Sequence, residues 1–70
     1  MKSKHELVEI AQAGASIGFN ISEFDKYDIK SIAEALQDGC TLELRGSDSM
    51  DKYDLAEIAR SAPSKVKFIF

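Results

Sequence analysis

Hydrophobic residues follow two different spacings along this chain, one after the other, and this pair of spacings occurs three times. A stretch with apolar residues three and four positions apart, typical of an amphipathic helix, is followed each time by a stretch in which every second residue is apolar, typical of a half-buried strand. The apolar helical positions are Leu7, Ile10 and Ala11; Ile29, Ile32, Ala33 and Leu36; and Leu55, Ile58, Ala59 and Ala62. The alternating stretches are 17–21, 41–45 and 66–70. The pattern predicts three helix-strand units.

The three units are repeats of one short sequence. Residues 25–29 read Asp-Lys-Tyr-Asp-Ile, residues 51–55 read Asp-Lys-Tyr-Asp-Leu, and residues 3–7 carry the related Ser-Lys-His-Glu-Leu. Self-similarity at a period of roughly 20–50 residues is typical of repeat architectures. We therefore predict a single domain over residues 1–70, with repeats at 3–21, 25–45 and 51–70.

Each repeat opens with the signal of a helix N-terminus. A good N-cap residue is followed three positions later by a carboxylate, which favours the positive end of the helix dipole. The pairs are Ser3 and Glu6, Asp25 and Asp28, and Asp51 and Asp54. Gly14 and Gly39 are typical of helix C-termini, and Pro63 prevents the third helix from continuing.

The strands indicate where the helices lie. Polar residues at alternate strand positions predict a sheet that is covered on one face only. Helix-to-strand order, repeated three times with right-handed crossovers, keeps all helices on that face if the strands are parallel and in sequential order. The predicted fold is an α/β, two-layer, short solenoid with a parallel sheet of order 1-2-3. The alternative is a sheet with strand 1 displaced, which requires one helix on the far face.

Equivalent apolar residues should therefore form rows across the helical layer. One row is Leu7, Ile29 and Leu55, and the other is Ile10, Ile32 and Ile58. On strand 3, the alternation predicts that Val66, Phe68 and Phe70 face the helices.

The Leu/Ile-x-x-Ile-Ala helix core, at Leu7, Ile10 and Ala11 and their equivalents, resembles that of small bacterial proteins built from tandem helix-strand repeats. This resemblance implies the repeat fold and no particular activity. The connectivity and period also distantly resemble leucine-rich repeats, but the Leu-x-x-Leu-x-Leu-x-x-Asn segment is absent, and Arg45-Gly46 follows Leu44 at the place of its asparagine-bearing turn. No functional residue is carried over from either family.

Composition narrows the classes of function. Apolar residues make up 44% and charged residues 30% of the chain, as in ordinary globular domains. No apolar run is long enough to span a membrane or form a signal peptide, and a single cysteine agrees with a reducing compartment, so we expect a cytoplasmic protein. The net charge of −3 argues against nucleic acid, whose binding depends on Lys and Arg.

Candidate catalytic residues are few. His5 takes the place of Tyr27 and Tyr53 in the other repeats, which predicts a half-exposed packing position in the first helical turn rather than acid-base chemistry. Cys40 follows a helix C-terminus, whereas reactive thiolates favour helix N-termini or cationic neighbours. We therefore expect no enzyme activity, no catalytic residue, no metal and no cofactor.

Acidic residues concentrate where the helix N-termini and the strand C-termini should meet. They are Glu6, Glu23, Asp25, Asp28, Asp48, Asp51 and Asp54. Such a rim repels phosphate but is compatible with a divalent cation. A ligand- or cation-binding protein, or an enzyme using this rim, is the alternative function; the competing explanation is that each acid caps its own helix.

The preferred hypothesis concerns strand 3, which should form an open sheet edge. Unpaired backbone groups on such an edge are templates for another strand, and Lys65 and Lys67 blunt the edge only in part. The candidate interface is Lys65, Lys67, Ile69 and Phe70. We predict a small non-enzymatic protein-protein interaction module that binds a protein partner or itself, for instance as a homodimer in which two copies of strand 3 pair antiparallel about a twofold axis.

Overall fold

A computed structural model describes residues 2–70 of the chain. Three helices and three strands alternate: α1 (Lys4–Gln12), β1 (Ile17–Asn20), α2 (Lys26–Glu34), β2 (Leu42–Arg45), α3 (Lys52–Ser61) and β3 (Val66–Ile69). The strands form one parallel sheet in the order β1-β2-β3, with the helices on one face. The predicted fold class is thus confirmed.

The helices begin where the sequence predicts, because each N-cap side chain is used. The Ser3 hydroxyl accepts a hydrogen bond from the Glu6 backbone N–H at 3.2 Å, and the Glu6 carboxylate accepts one from the Ser3 N–H at 2.9 Å. Asp25 accepts from the backbone N–H of Asp28, also at 2.9 Å. Asp51 makes the corresponding bond at the start of α3. These bonds satisfy backbone donors that a helix N-terminus otherwise leaves unpaired.

The predicted C-terminal signals fit α1 and α3, but not α2. Gly14, in the left-handed region at φ +103°, directly follows the C-cap of α1, as predicted. By contrast, α2 ends at Glu34, five residues before Gly39. Helix α3 ends at Ser61 with its C-cap at Ala62, directly before Pro63, as predicted. Leu36 lies beyond α2 but is still buried, so the segment that connects α2 to β2 places this side chain in the core.

Short 3₁₀ turns follow the first two strands, which the sequence pattern does not reveal. Ile21, predicted as the last residue of strand 1, instead opens the turn Ile21–Glu23 and is fully buried there. The Asn20 side chain caps this turn by accepting from the Ser22 N–H at 3.0 Å. The second turn, Ser47–Ser49, follows Gly46 at φ +71°.

The core lies between the helices and the sheet. Its buried apolar residues are Leu7, Ala11, Phe19, Ile21, Ile29, Ile32, Ala33, Leu36, Leu42, Leu44, Ile58 and Ala62. Leu55, Val66 and Phe68 are half-buried and pack against this core.

Two predicted core placements are wrong. Ile10 does not join Ile32 and Ile58 in a buried row, because no helix in residues 2–70 covers the outer side of α1; its side chain is 37% exposed. Phe70 lies just beyond β3 and is 71% exposed instead of packing under the helices.

None of the helices in residues 2–70 has both the length and the apolar character needed to cross a membrane.

Candidate functional site

The open edge of β3 is defined by the direction of its backbone groups. The Leu42 N–H donates to the Lys65 carbonyl at 2.7 Å, and Leu42 stands opposite Val66 in the parallel register. Along a strand the N–H and C=O groups of successive residues point to opposite sides. Lys65, Lys67 and Ile69 therefore direct their backbone groups to β2, whereas Val66 and Phe68 direct theirs away from the sheet.

The outward backbone groups of Val66 and Phe68 have no strand opposite them within residues 2–70, since β2 is the only strand paired with β3 there. Sequence analysis missed these two residues as interface candidates. Hydrophobic alternation reveals which face a side chain occupies, but the direction of the backbone groups becomes known only from the register of the neighbouring strand.

The structure places Lys65 away from the open edge. Its ammonium donates to the Leu36 carbonyl at 3.0 Å and lies 3.5 Å from the Asp38 carboxylate. The side chain therefore reaches back over the segment between α2 and β2. Lys65 links repeat 3 to repeat 2 and leaves the β3 edge without its charge.

The other three predicted interface residues lie near the edge but on different surfaces. Lys67 and Ile69 stand opposite Glu43 and Arg45 in the sheet register, on the face without helices. Lys67 is exposed and Ile69 is half-buried. Phe70 lies past the end of the strand, with its ring centroid 6.3 Å from that of Phe68.

Ion pairs join each helix to the next. The Lys4 ammonium lies 3.5 Å from the Asp28 carboxylate, and the Lys26 ammonium lies 3.1 Å from the Asp54 carboxylate. These two contacts join equivalent positions of successive repeats. In each case the lysine is the first residue of one helix, and the acid is the third residue of the next helix. The helical layer thus repeats one lateral contact.

Glu57 on α3 extends this set of ion pairs. Lys30 lies 2.8 Å and Lys26 lies 3.3 Å from its carboxylate oxygens. Hydrogen bonds from Lys30 and then Lys26 lower the pKa of Glu57 from its ordinary value of 4.5. Hydrogen bonds to Asp54 and then Glu57 raise the pKa of Lys26 above its ordinary 10.5.

Five of the seven acids of the rim, Glu6, Asp25, Asp28, Asp51 and Asp54, make side-chain contacts within the chain. Asp25 and Asp51 cap their helices, while Asp28 and Asp54 pair with lysines of the preceding helix. Glu6 forms hydrogen bonds with Ser3, chiefly with its backbone N–H, and these bonds lower the pKa of Glu6. Within residues 2–70, no group of three His, Cys, Asp or Glu side chains is arranged to hold a metal ion.

A shallow depression of about 370 Å³ lies on the helix-free face. It is lined by Ser16, Ile17, Gly18, Thr41, Glu43 and Arg45. The Arg45 guanidinium lies 3.3 Å from the Glu43 carboxylate, and a Cβ at Gly18 would come within 3.0 Å of that guanidinium. Gly18 therefore leaves room for Arg45 to lie over β1. The lining is mostly polar, unlike the predominantly apolar walls of most small-molecule sites.

His5 and Cys40 are the two side chains considered in the sequence as candidates for catalytic chemistry. His5 is exposed on the first turn of α1, as Tyr27 and Tyr53 are on α2 and α3, so it does not take the half-exposed packing position predicted from the repeats. The Cys40 thiol is partly buried and donates to the Gly14 carbonyl at 3.1 Å. This bond joins the loops of repeats 2 and 1.

Comparison with known proteins finds no family model, no curated protein and no solved structure that matches the chain. The resemblance to small tandem-repeat proteins therefore stays a prediction.

Proposed function

We propose that the protein is a small, non-catalytic protein-protein interaction module that binds through the open edge of β3. The observation that supports this most is the pair of outward-directed residues Val66 and Phe68, whose backbone groups have no partner strand in residues 2–70. Addition of a strand to such an edge is a common mode of recognition, in which main-chain hydrogen bonds supply affinity.

Side chains beside the edge add apolar contact area. Phe70 is 71% exposed, and Val66, Phe68 and Ile69 are only half-buried. An extended partner segment on β3 would cover part of this surface, and apolar area removed from water favours association. A second copy of the chain is among the partners this edge can accept.

The alternative, a ligand- or cation-binding protein or an enzyme that uses the acidic rim, has less support. Asp25 and Asp51 are engaged as caps, and Asp28 and Asp54 are engaged by lysines. A calorimetric titration with calcium, magnesium and nucleotides separates the two functions, because the interaction module releases no heat with any of them.

A cytoplasmic location is part of the proposal. The thiol of Cys40 is free. Unpaired thiols are typical of proteins in reducing compartments.

Amide hydrogen exchange, followed by NMR at rising protein concentration, tests the use of β3 in self-association. The amides of Lys67 and Ile69 face β2 and should be protected even in dilute solution, which makes them an internal control. The amides of Val66 and Phe68 should gain protection as the concentration rises. If they exchange as fast at high micromolar concentration as in dilute solution, self-association through β3 is wrong.

Two substitutions of Phe70 test the edge without disturbing the core. Phe70→Pro removes an N–H that continues the outward series of Val66 and Phe68, while Phe70→Ala keeps that N–H and removes the same ring. We expect the proline variant to associate more weakly than the alanine variant. Ile69→Pro is unsuitable here, because its N–H faces β2 and its loss breaks the sheet itself.

A further inference from the structure

The middle repeat illustrates what a neighbour on each side does to this fold. Ile29, Leu42 and Leu44 are all 0% exposed in repeat 2. Their equivalents in repeat 3 are Leu55, Val66 and Phe68, and all three are half-exposed. The outer side of repeat 3 therefore exposes the apolar positions that repeat 2 buries against its successor.

The outer side of repeat 1 has the converse exposure. Ile10 is 37% exposed, whereas its equivalents Ile32 and Ile58 are 0% exposed because a preceding helix covers them. Ile17 is half-exposed, whereas Leu42, opposite it in the sheet, is fully buried. The outer end of repeat 3 thus exposes the surface that each repeat packs against its successor, and the outer end of repeat 1 exposes the surface that each repeat packs against its predecessor.

The two sheet edges match in the same way. The Ile17 N–H donates to the Thr41 carbonyl at 3.0 Å, so Ile17 faces β2 and Gly18 and Asn20 direct their backbone groups outward. If β1 of another molecule lay beside β3 in the register already used twice, Val66 would pair with the backbone of residues 16 and 18.

Charges complete the match. Lys26 on α2 contacts both Asp54 and Glu57 on α3. In the repeat alignment, the equivalent of Lys26 at the outer end is Lys52, and the equivalents of the two acids in repeat 1 are Glu6 and Glu9. Neither Lys52 nor Glu9 forms an ion pair among the residues that the structure describes.

From these matches, and resting on the interaction proposed for β3, we infer that a second copy of the chain binds head to tail. The β1 strand of one molecule continues the sheet beyond β3 of the other in parallel, and Lys52 pairs with Glu6 and Glu9 of the next copy. Such a heterologous contact repeats from molecule to molecule. It therefore produces species larger than a dimer.

This arrangement differs from a twofold dimer in a way that can be measured. Antiparallel pairing of two β3 edges brings two identical ends together, so Lys52 of one copy faces repeat 3 of its partner and does not meet Glu6 or Glu9. Glu9, at the opposite end of the molecule, takes no part in such a dimer. Glu9 therefore distinguishes the two assemblies.

Charge reversal at the two ends provides the test. Lys52→Glu lies at the first position of α3 and Glu9→Lys lies in the second half of α1, so each new charge favours the dipole of its own helix and should preserve the fold. Each reversal turns attraction into repulsion and should weaken association roughly tenfold by sedimentation. For Glu9→Lys, the matched control Glu34→Lys changes the net charge by the same amount and in the same direction on exposed surface of the middle repeat, and it should associate as the parent does.

An equimolar mixture of Lys52→Glu and Glu9→Lys should recover the association that each variant alone has lost, because the new carboxylate at position 52 then meets the new ammonium at position 9. If the parent protects the Val66 and Phe68 amides on association but Glu9→Lys associates like the parent, head-to-tail assembly is overturned while the proposed function stands. If the parent stays monomeric with those amides unprotected, self-association through β3 fails as well.

Discussion

Ile10 and Ile32 occupy the same position in successive repeats, yet Ile10 is 37% exposed and Ile32 is fully buried. The difference arises from neighbours and not from residue type, because α1 covers Ile32 while no described helix covers Ile10. Comparison of Ile10 with Ile32 therefore shows how much a neighbouring helix changes the burial of the same repeat position.

Truncation of these two isoleucines should have unequal effects. Ile32→Ala should lower the free energy of unfolding by about 2–5 kcal/mol, since it leaves a cavity in the core. Ile10→Ala should cost clearly less, because part of its side chain is already in water. Urea unfolding of both variants checks this. Equal losses would contradict the central placement of Ile32.

The acidic caps should act on stability and not on ion binding. Asp51→Ala should lower the free energy of unfolding by about 0.5–2 kcal/mol, the usual contribution of an N-cap, while Asp51→Asn should retain most of it. Millimolar calcium should not restore the alanine variant. A calcium-induced rise in the melting temperature of the parent that is absent from Asp51→Ala would instead identify a metal site.

Alanine substitutions at two glycines should distinguish the cost of backbone strain from the cost of steric crowding. Gly39 and Gly46 both have positive φ, but a Cβ at Gly39 meets nothing within 4 Å, whereas one at Gly46 lies 2.9 Å from the Asn20 amide nitrogen. Alanine at Gly39 should cost about 1–2 kcal/mol from the left-handed backbone alone. Alanine at Gly46 should cost more, because the Asn20 side chain is held by its bonds to Ser22. Thermal melts of both variants test the order.

The ion pairs around Glu57 give a pH dependence with a defined sign. The lowered pKa of Glu57 in the folded state means that its stabilisation is fully present above 4.5 and is lost as the pH falls through the lowered value. The raised pKa of Lys26 means that its stabilisation is present below 10.5 and is lost as the pH rises through the raised value.

Glu57→Gln should therefore melt below the parent at neutral pH, and the two melting temperatures should converge in acid. Glu6 also has a lowered pKa, from its bond with Ser3, and it is unchanged in this variant. Some acid sensitivity should consequently remain in Glu57→Gln. A constant gap between parent and variant from neutral to acid pH would contradict the role of the Lys30 and Lys26 contacts.

Helix starts could be predicted to the residue, because an N-cap is a local device: Ser3, Asp25 and Asp51 accept bonds from residues only three positions away. The strand order followed from one-sided alternation and crossover handedness. The end of β1 could not be predicted, because Ile21 is apolar in a strand or in a turn alike, and the capping by Asn20 decides between them.

The candidate interface was harder to predict for a similar reason. Alternation correctly assigned Lys67 and Ile69 to the helix-free face, but the destination of the long Lys65 side chain depends on the Leu36 carbonyl, which only the folded segment between α2 and β2 presents. The match between Lys52 and Glu9 was present in the repeat alignment. Its significance became clear only from the 3.3 Å contact of Lys26 with Glu57 in the structure.

Full burial on both sides of repeat 2 also bears on the order in which the chain folds. In arrays whose repeats contact only their neighbours, folding propagates from one repeat to the next, and we expect it to begin in the unit that has a neighbour on each side. Here that unit is α2 with β2, so we expect substitutions such as Ile32→Ala to slow refolding. Substitutions on the outer side of repeat 3, such as Leu55→Ala, should chiefly accelerate unfolding. The middle of the chain would then act as the folding nucleus, and the last helix and strand would be the first to fray.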